Sequence, residues 1–321
     1  MSNNTNTETS ENETGMEKKV ETYEVTFPVV CPGHSRPVVD VRYSPVTEDG
    51  TFLISACHDK LPMVRWADNG DWIGTLEGHK GAVWSACLNH DATRAATGSA
   101  DFSAKLWNSI SGKEIHTFDH KHIVKSVEFS KDGTQLLTGG LDKTLRIFDL
   151  GNPDQTPISL DAKDKIRRSS WLNSENQIVI CACEDGFIRK WDIRSQEIIS
   201  ELKAFEKSGV KDLEISAHFQ KLICCGGNVV KIYNSDTFEL CNEIEVKNDI
   251  EAASLHPSGK RFIAGGADLW VHEYDLVDNG NEIACHKGHH GPIFCMRYDP
   301  EGKTYASGSE DGTIRLWSAT P

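Results

Sequence analysis

Three residue types that perform chemistry together recur at fixed spacing along this chain. His79 lies 22 residues before Asp101, with Thr97 four residues before that Asp; the same set returns as His120, Thr138 and Asp142, and as His289, Ser307 and Asp311. His34, Ser55 and Asp59 make a fourth set, stretched by a short insertion. Imidazole, carboxylate and hydroxyl are the parts of a hydrolase triad, in which the acid orients the base and the base takes the hydroxyl proton. Four copies argue against that chemistry, because hydrolysis needs one cleft and one nucleophile. They argue instead for a structural network in which a turn Asp accepts from His and from backbone amides, the His reaches the hydroxyl, and an indole donates to it. Trp107 and Trp317, each six residues after its Asp, supply that indole.

The worn copies fit this reading. Lys163, Phe205 and Val246 stand at the His position of the fourth to sixth copies, and Cys181, Ile223 and Ala264 at the hydroxyl position. Losing both partners can be nearly neutral where losing one strands the other. Asp268 is therefore expected to have neither partner, and Phe148, in place of Trp, cannot donate to Thr138. Cys285, His286, His289 and His290 resemble a zinc cluster, as do His120-Lys121-His122 and Cys181-Ala182-Cys183. Consecutive strand residues point to opposite faces, so these spacings suit a tetrahedral ion poorly and no metal is expected. No nucleophile elbow, Walker loop or dinucleotide fingerprint occurs, so no cofactor, small-molecule substrate or catalysis is expected either.

The elements that must carry these residues follow from their period. Positions 65, 107, 148, 191, 233, 274 and 317, six after each turn residue, are separated by 42, 41, 43, 42, 41 and 43 residues. A period of roughly 40 to 45 with a terminal Trp-Asp-like dipeptide is the signature of WD repeats, each one four-stranded blade of a propeller. Seven copies predict an all-β, seven-bladed propeller. In the second copy the strands are expected at 82–88, 92–97, 103–107 and 114–118, with Gly70, Gly112, Gly133, Gly259, Gly302 and Gly312 at the tight turns. Residues 1–20 are polar and aperiodic and read as a disordered tail, with the propeller over 21–321. Thr22 to Val30 reads as a strand belonging to no copy, and the last copy lacks an outermost strand. Together these predict that the N-terminal strand closes the ring, hiding edges that would template aggregation.

Composition narrows the class. The net charge is −14, from 34 basic and 48 acidic residues, which repels a phosphate backbone and disfavours a general nucleic-acid binder. No apolar run is long enough for a membrane span, and the N-terminus has no signal-like apolar core, so the expected location is cytoplasmic with access to the nucleus. The ten Cys sit mostly in predicted strands without a disulfide framework and read as buried thiols.

Some stretches are more specific than the repeat. Gly33-His34-Ser35-Arg36-Pro37-Val38-Val39-Asp40, Gly70-Asp71-Trp72-Ile73-Gly74-Thr75, Gly78-His79-Lys80-Gly81-Ala82-Val83-Trp84, His120-Lys121-His122-Ile123-Val124-Lys125 and the final copy resemble the serine-threonine kinase receptor-associated protein family. The resemblance implies a non-enzymatic scaffold: a peripheral part of the survival-of-motor-neuron complex that assembles spliceosomal ribonucleoproteins, a partner of RNA-binding proteins, and a participant in receptor-kinase signalling. It implies RNA reached through partners. Against the animal pattern, an acidic C-terminal extension is missing and an Asn/Thr/Glu-rich start is added. The propeller subunit of translation initiation factor three is the alternative scaffold, and a metal-binding or catalytic propeller the alternative of another class. Partner-binding candidates are Arg36, Trp84, Lys125, Arg168, Glu251 and Phe294, near the start of successive inner strands, with Lys80 beside them and Trp72 on the outer edge. This rim would be a basic and aromatic island on an acidic protein.

Overall fold

The computed structural model describes residues 28–172, 175–216, 220–277 and 280–319. Six repeats each fold into a four-stranded antiparallel sheet and the last supplies three strands of another, giving seven sheets in a ring. β-Branched and aromatic residues alternate along the strands, and small residues such as Ala95, Ala96 and Gly98 allow neighbouring sheets to pack face to face. In the second blade the strands are Val83–Leu88, Arg94–Ser99, Ser103–Asn108 and Glu114–Asp119. The large apolar side chains fill the spaces between adjacent blades. Trp107, for example, packs with Ile54, Val64 and Leu76 of the first blade.

The ring closes through its N-terminus. Val29–Cys31 is the outermost strand of the last blade, with Val29 opposite Leu316, Val30 opposite Arg315 and Cys31 opposite Ile314. Cys31 then joins Val38, Leu53, Ile314 and Leu316 in the cluster across the seam. Residues 22–27 of the expected strand, and the whole of the expected tail, lie outside the described residues. Gly70 belongs to this seam: its φ is +76°, and any Cβ there would run into Cys31 Sγ. Eight of the ten cysteines are buried: Cys31, Cys57, Cys87, Cys181, Cys183, Cys224, Cys225 and Cys295.

The inner strands share one irregularity. In six blades their pairing skips a residue near the start: Val39, Trp84, Lys125, Arg167, Glu251 and Phe294. Such a bulge turns the skipped side chain out of the alternation and presents it at the end of the sheet.

Candidate functional site

The repeated His, Asp and hydroxyl groups come together at the joints between strands. His79 Nδ1 is 2.8 Å from Asp101, its Nε2 is 2.7 Å from Thr97 Oγ1, and Trp107 Nε1 donates to the same hydroxyl at 2.8 Å. His289 repeats this with Asp311 at 3.0 Å and Ser307 at 2.7 Å, and Trp317 donates to Ser307 at 2.9 Å. In blade one His34 spans Asp59 and Ser55, both at 2.8 Å, but Arg65 takes the Trp place and donates to backbone carbonyls, among them that of Gly70 at 3.0 Å. A neutral imidazole satisfies every contact: Nδ1–H donates to the Asp, the hydroxyl donates to Nε2, and the indole donates to the hydroxyl. No nucleophile is left over, because the Ser or Thr oxygen is already committed on both sides.

Burial is the main cause holding His79 and His289 below the ordinary imidazole range, against the pull of their Asp partners, and it holds His120 down at about 4. These groups stay neutral in the ring while the unfolded chain takes up protons below about pH 6.5. Stability from this source is therefore full above that pH and declines as pH falls from 7 to 5. Urea midpoints measured across that range should show the decline, and His289→Gln should reduce its slope; an unchanged slope would mean that His289 is charged in the folded protein.

Two expectations need correction. In blade three His120 reaches Thr138 at 2.8 Å but turns Nδ1 to the Phe118 carbonyl, at 3.0 Å, and Asp142 pairs with Arg146 at 2.7 Å. Asp268 is not without partners: His272 Nε2 lies 2.6 Å away and Asn248 donates to it at 2.8 Å. In blade four Arg189 holds Asp185. Where the incoming loop loses its His, a basic residue four positions after the Asp takes over from the adjacent strand, and that spacing was visible in the sequence.

The rim differs from expectation in one position. Six residues, 172–177, join the first two strands of blade four, against five in blades two, three, six and seven. Counting back from the turn Asp therefore lands one residue late, and a one-residue slip exchanges the two faces of a strand. Arg167 occupies the rim and Arg168 points into the channel. The other candidates are at the rim in varying degrees of burial. Trp84 is half-buried, edge-on to His58 with ring centroids 4.4 Å apart, and Lys125 Nζ lies 2.8 Å from its ring centroid. Lys125 is itself buried, and burial, then the Arg167 charge, pushes its ammonium down to about 7. Glu251 pairs with Lys211 at 2.8 Å, and Phe294 is half-buried. Arg36, Lys80, Lys121 and His122 are exposed on the loops that lead into the inner strands of blades one to three, and Phe102 is exposed at a turn of blade two. Trp72 is 60% exposed on the outer strand of blade one.

Below the rim, charge crosses the axis. Arg168 donates to Asp212 at 3.0 Å and contacts Asp40 at 2.9 Å, while Arg297 grips both oxygens of Asp212 at 2.7 and 2.8 Å. Arg42 joins Asp40 at 3.3 Å to Glu128 at 3.4 Å. These contacts tie blades one, three, four, five and seven together through their inner strands. They leave a mouth of about 460 Å³ at the far end, lined by Arg42, Glu128, Glu214 and Arg297 among others.

Residues 37–318 match the family model described as the IFT122 first beta-propeller. The serine-threonine kinase receptor-associated protein of Gallus gallus is 46% identical over 91% of this chain and 83% of its own length. The chain belongs to the serine-threonine kinase receptor-associated protein family. The member of this family from Dictyostelium discoideum is 44% identical over 90% of this chain and 98% of its own length. Eukaryotic translation initiation factor 3 subunit I of Kluyveromyces lactis is further off, at 29% identity over 90% of this chain and 91% of its own length. Like its relatives, this chain is a WD-repeat propeller, and its repeated His, Asp and hydroxyl sets are engaged with one another within the blades.

Proposed function

We propose that this protein is a non-enzymatic scaffold that captures acidic segments of partner proteins on the adjoining rim of blades seven, one, two and three, within the assembly of small nuclear ribonucleoproteins and messenger-RNA processing. The observation that carries the docking site is the setting of Trp84: Lys125 lies over its ring, His58 packs against its edge, and Arg36, Lys80 and Lys121 are exposed on the loops that lead into the inner strands of blades one to three, on a chain whose net charge is −14. Aromatic and Arg side chains dominate binding energy when a partner can desolvate them, and complementary charge sets the encounter rate. The family supports the ribonucleoprotein setting, with RNA met through Gemin-type or RNA-binding protein partners, in the cytoplasm and with a nuclear pool. Association with receptor kinases is the second role that the relatives' name supports.

Affinity purification from cells tests the setting. Recovery of Sm-core assembly factors is expected, and recovery of initiation factor subunits in their place would favour the alternative scaffold. For the surface, Trp84→Ala with Phe294→Ala is expected to weaken capture at least tenfold, roughly 1.4 kcal/mol or more. Arg36→Glu with Lys80→Glu, both on exposed side chains, should do the same without touching the packing. Full capture by both folded double mutants would move the site elsewhere, with Trp72 the next surface to test.

A further inference from the structure

The cluster of Cys and His apparent in the sequence around residues 285–290 is dispersed by the fold. His289 is engaged with Asp311 and Ser307, and His286 points to Glu273, 3.9 Å away on the other face of the hairpin. Cys285 meets a different set. It lies directly opposite His272 across the outer two strands of blade six, and Glu282 lies opposite Tyr274 two residues along on the same face. A His272 ring nitrogen, a Glu282 oxygen and Cys285 Sγ all lie within 4.8 Å of one another.

The environment of His272 is what turns this neighbourhood into a site. Both ring nitrogens face carboxylates: Nε2 is 2.6 Å from Asp268 and Nδ1 is 2.8 Å from Glu282 Oε1. A neutral imidazole has one N–H, so it can donate to only one of them. A metal ion on Nδ1, bridging to Glu282, satisfies both sides while Nε2–H donates to Asp268. That carboxylate–imidazole–metal chain fixes the tautomer and ring plane of a ligating His. Asp268 is itself held by Asn248 at 2.8 Å, and the other Glu282 oxygen is occupied by Lys247 at 3.3 Å, so each supporting atom has a partner of its own. The His272 side chain is only 12% exposed, whereas Cys285 and Glu282 reach the surface and give an ion entry.

We propose that His272 Nδ1, Glu282 Oε1 and Cys285 Sγ form a divalent-metal site of the zinc class on the outer hairpin of blade six, with Asp268 as its orienting residue and water as fourth ligand. Nitrogen, oxygen and sulfur donors together suit zinc, whose bonds of about 2.0 to 2.3 Å need His272 Nδ1 and Glu282 Oε1, now 2.8 Å apart, to open slightly and Cys285 Sγ to turn toward the ion between them. On binding, an S–metal bond replaces the S–H bond, the proton leaves to solvent, and nothing is oxidised. Affinity therefore rises with pH.

The test is titration of the full-length, metal-stripped protein with Co2+. One equivalent should bind with thiolate-to-cobalt charge-transfer absorbance, be displaced by Zn2+, and persist in Cys241→Ser, the other exposed thiol. Cys285→Ser should abolish the band, Glu282→Gln and His272→Gln should weaken binding at least tenfold, and Asp268→Asn roughly tenfold. Circular dichroism establishes that each variant is folded. Absence of the band from the parent protein, or its survival in Cys285→Ser, overturns the assignment.

Discussion

Asp212→Ala is expected to destabilise the propeller by about 3 to 5 kcal/mol, the range for removing one partner of a buried ion pair. Arg297 grips Asp212 through two nitrogens, at 2.7 and 2.8 Å, and Asp212 also accepts from Arg168 at 3.0 Å. Removing it leaves two buried guanidiniums sharing Asp40 and Glu214, and Glu214 is 4.0 Å from Arg297. Burial alone would raise the Asp212 carboxyl, but the Arg297 and Arg168 charges override it and hold it down at about 2. Its unfolded counterpart titrates near 3.9. Below about pH 4 the unfolded chain gains a proton first, so this stabilisation is present above that pH and is lost as pH falls toward 2. Asp212→Asn, close in shape, should lose most of the same stability and the acid-sensitive part with it. Urea titrations at pH 7 and pH 3.5 read both; a loss below about 1 kcal/mol would mean that water reaches the arginines and screens them.

Removing residues 1–31 is expected to convert a monomeric ring into an associating species, whereas removing 1–19 should leave the melting temperature unchanged. The longer truncation takes away Val29–Cys31, uncovers the hydrogen-bonding edge of Ile314–Ser318, and pulls Cys31 from the seam that it fills with Leu53 and Leu316. A free edge strand is a template for pairing with another chain. Light scattering across a concentration series, with a thermal melt, reads the result. A monomer with the parent melting temperature would show that the seam holds without its closing strand.

The repeat was legible because each blade repeats the same packing problem: a residue at the Trp317 position must fill the space between sheets, and a turn Asp must gather the loop amides. The closing strand was legible for a related reason, since an orphan strand and an incomplete final blade need each other. What escaped were features with no local signature. The axial charges come from Asp40 and Arg42 on one inner strand and from Glu128, Arg168, Asp212 and Arg297 on four others, each indistinguishable in sequence from a solvated strand residue. Arg168 was placed on the wrong face because one added residue at 172–177 shifts the count, and the side-chain period of two amplifies that slip into a full reversal. The His272 and Asp268 pair is a different case: its spacing of four is plain in the sequence, but the repeat pattern puts the partner of the turn Asp on the incoming loop, whereas here it comes from the strand after the turn.

The pairing of Cys31 with Ile314 also has a consequence in time. About 280 residues separate the two partners, and at roughly 5 to 20 residues per second a ribosome needs about 15 to 60 s to travel between them. Six blades can form while the chain is still being made, since their strands are local hairpins. The first strand to emerge waits through all of this with nothing to pair with, and the last blade cannot be finished until that strand returns. A chain interrupted before Ile314–Ser318 is made would therefore be almost wholly folded and still open at one side, and the fate of that open side rests on how quickly a partner or a chaperone covers it.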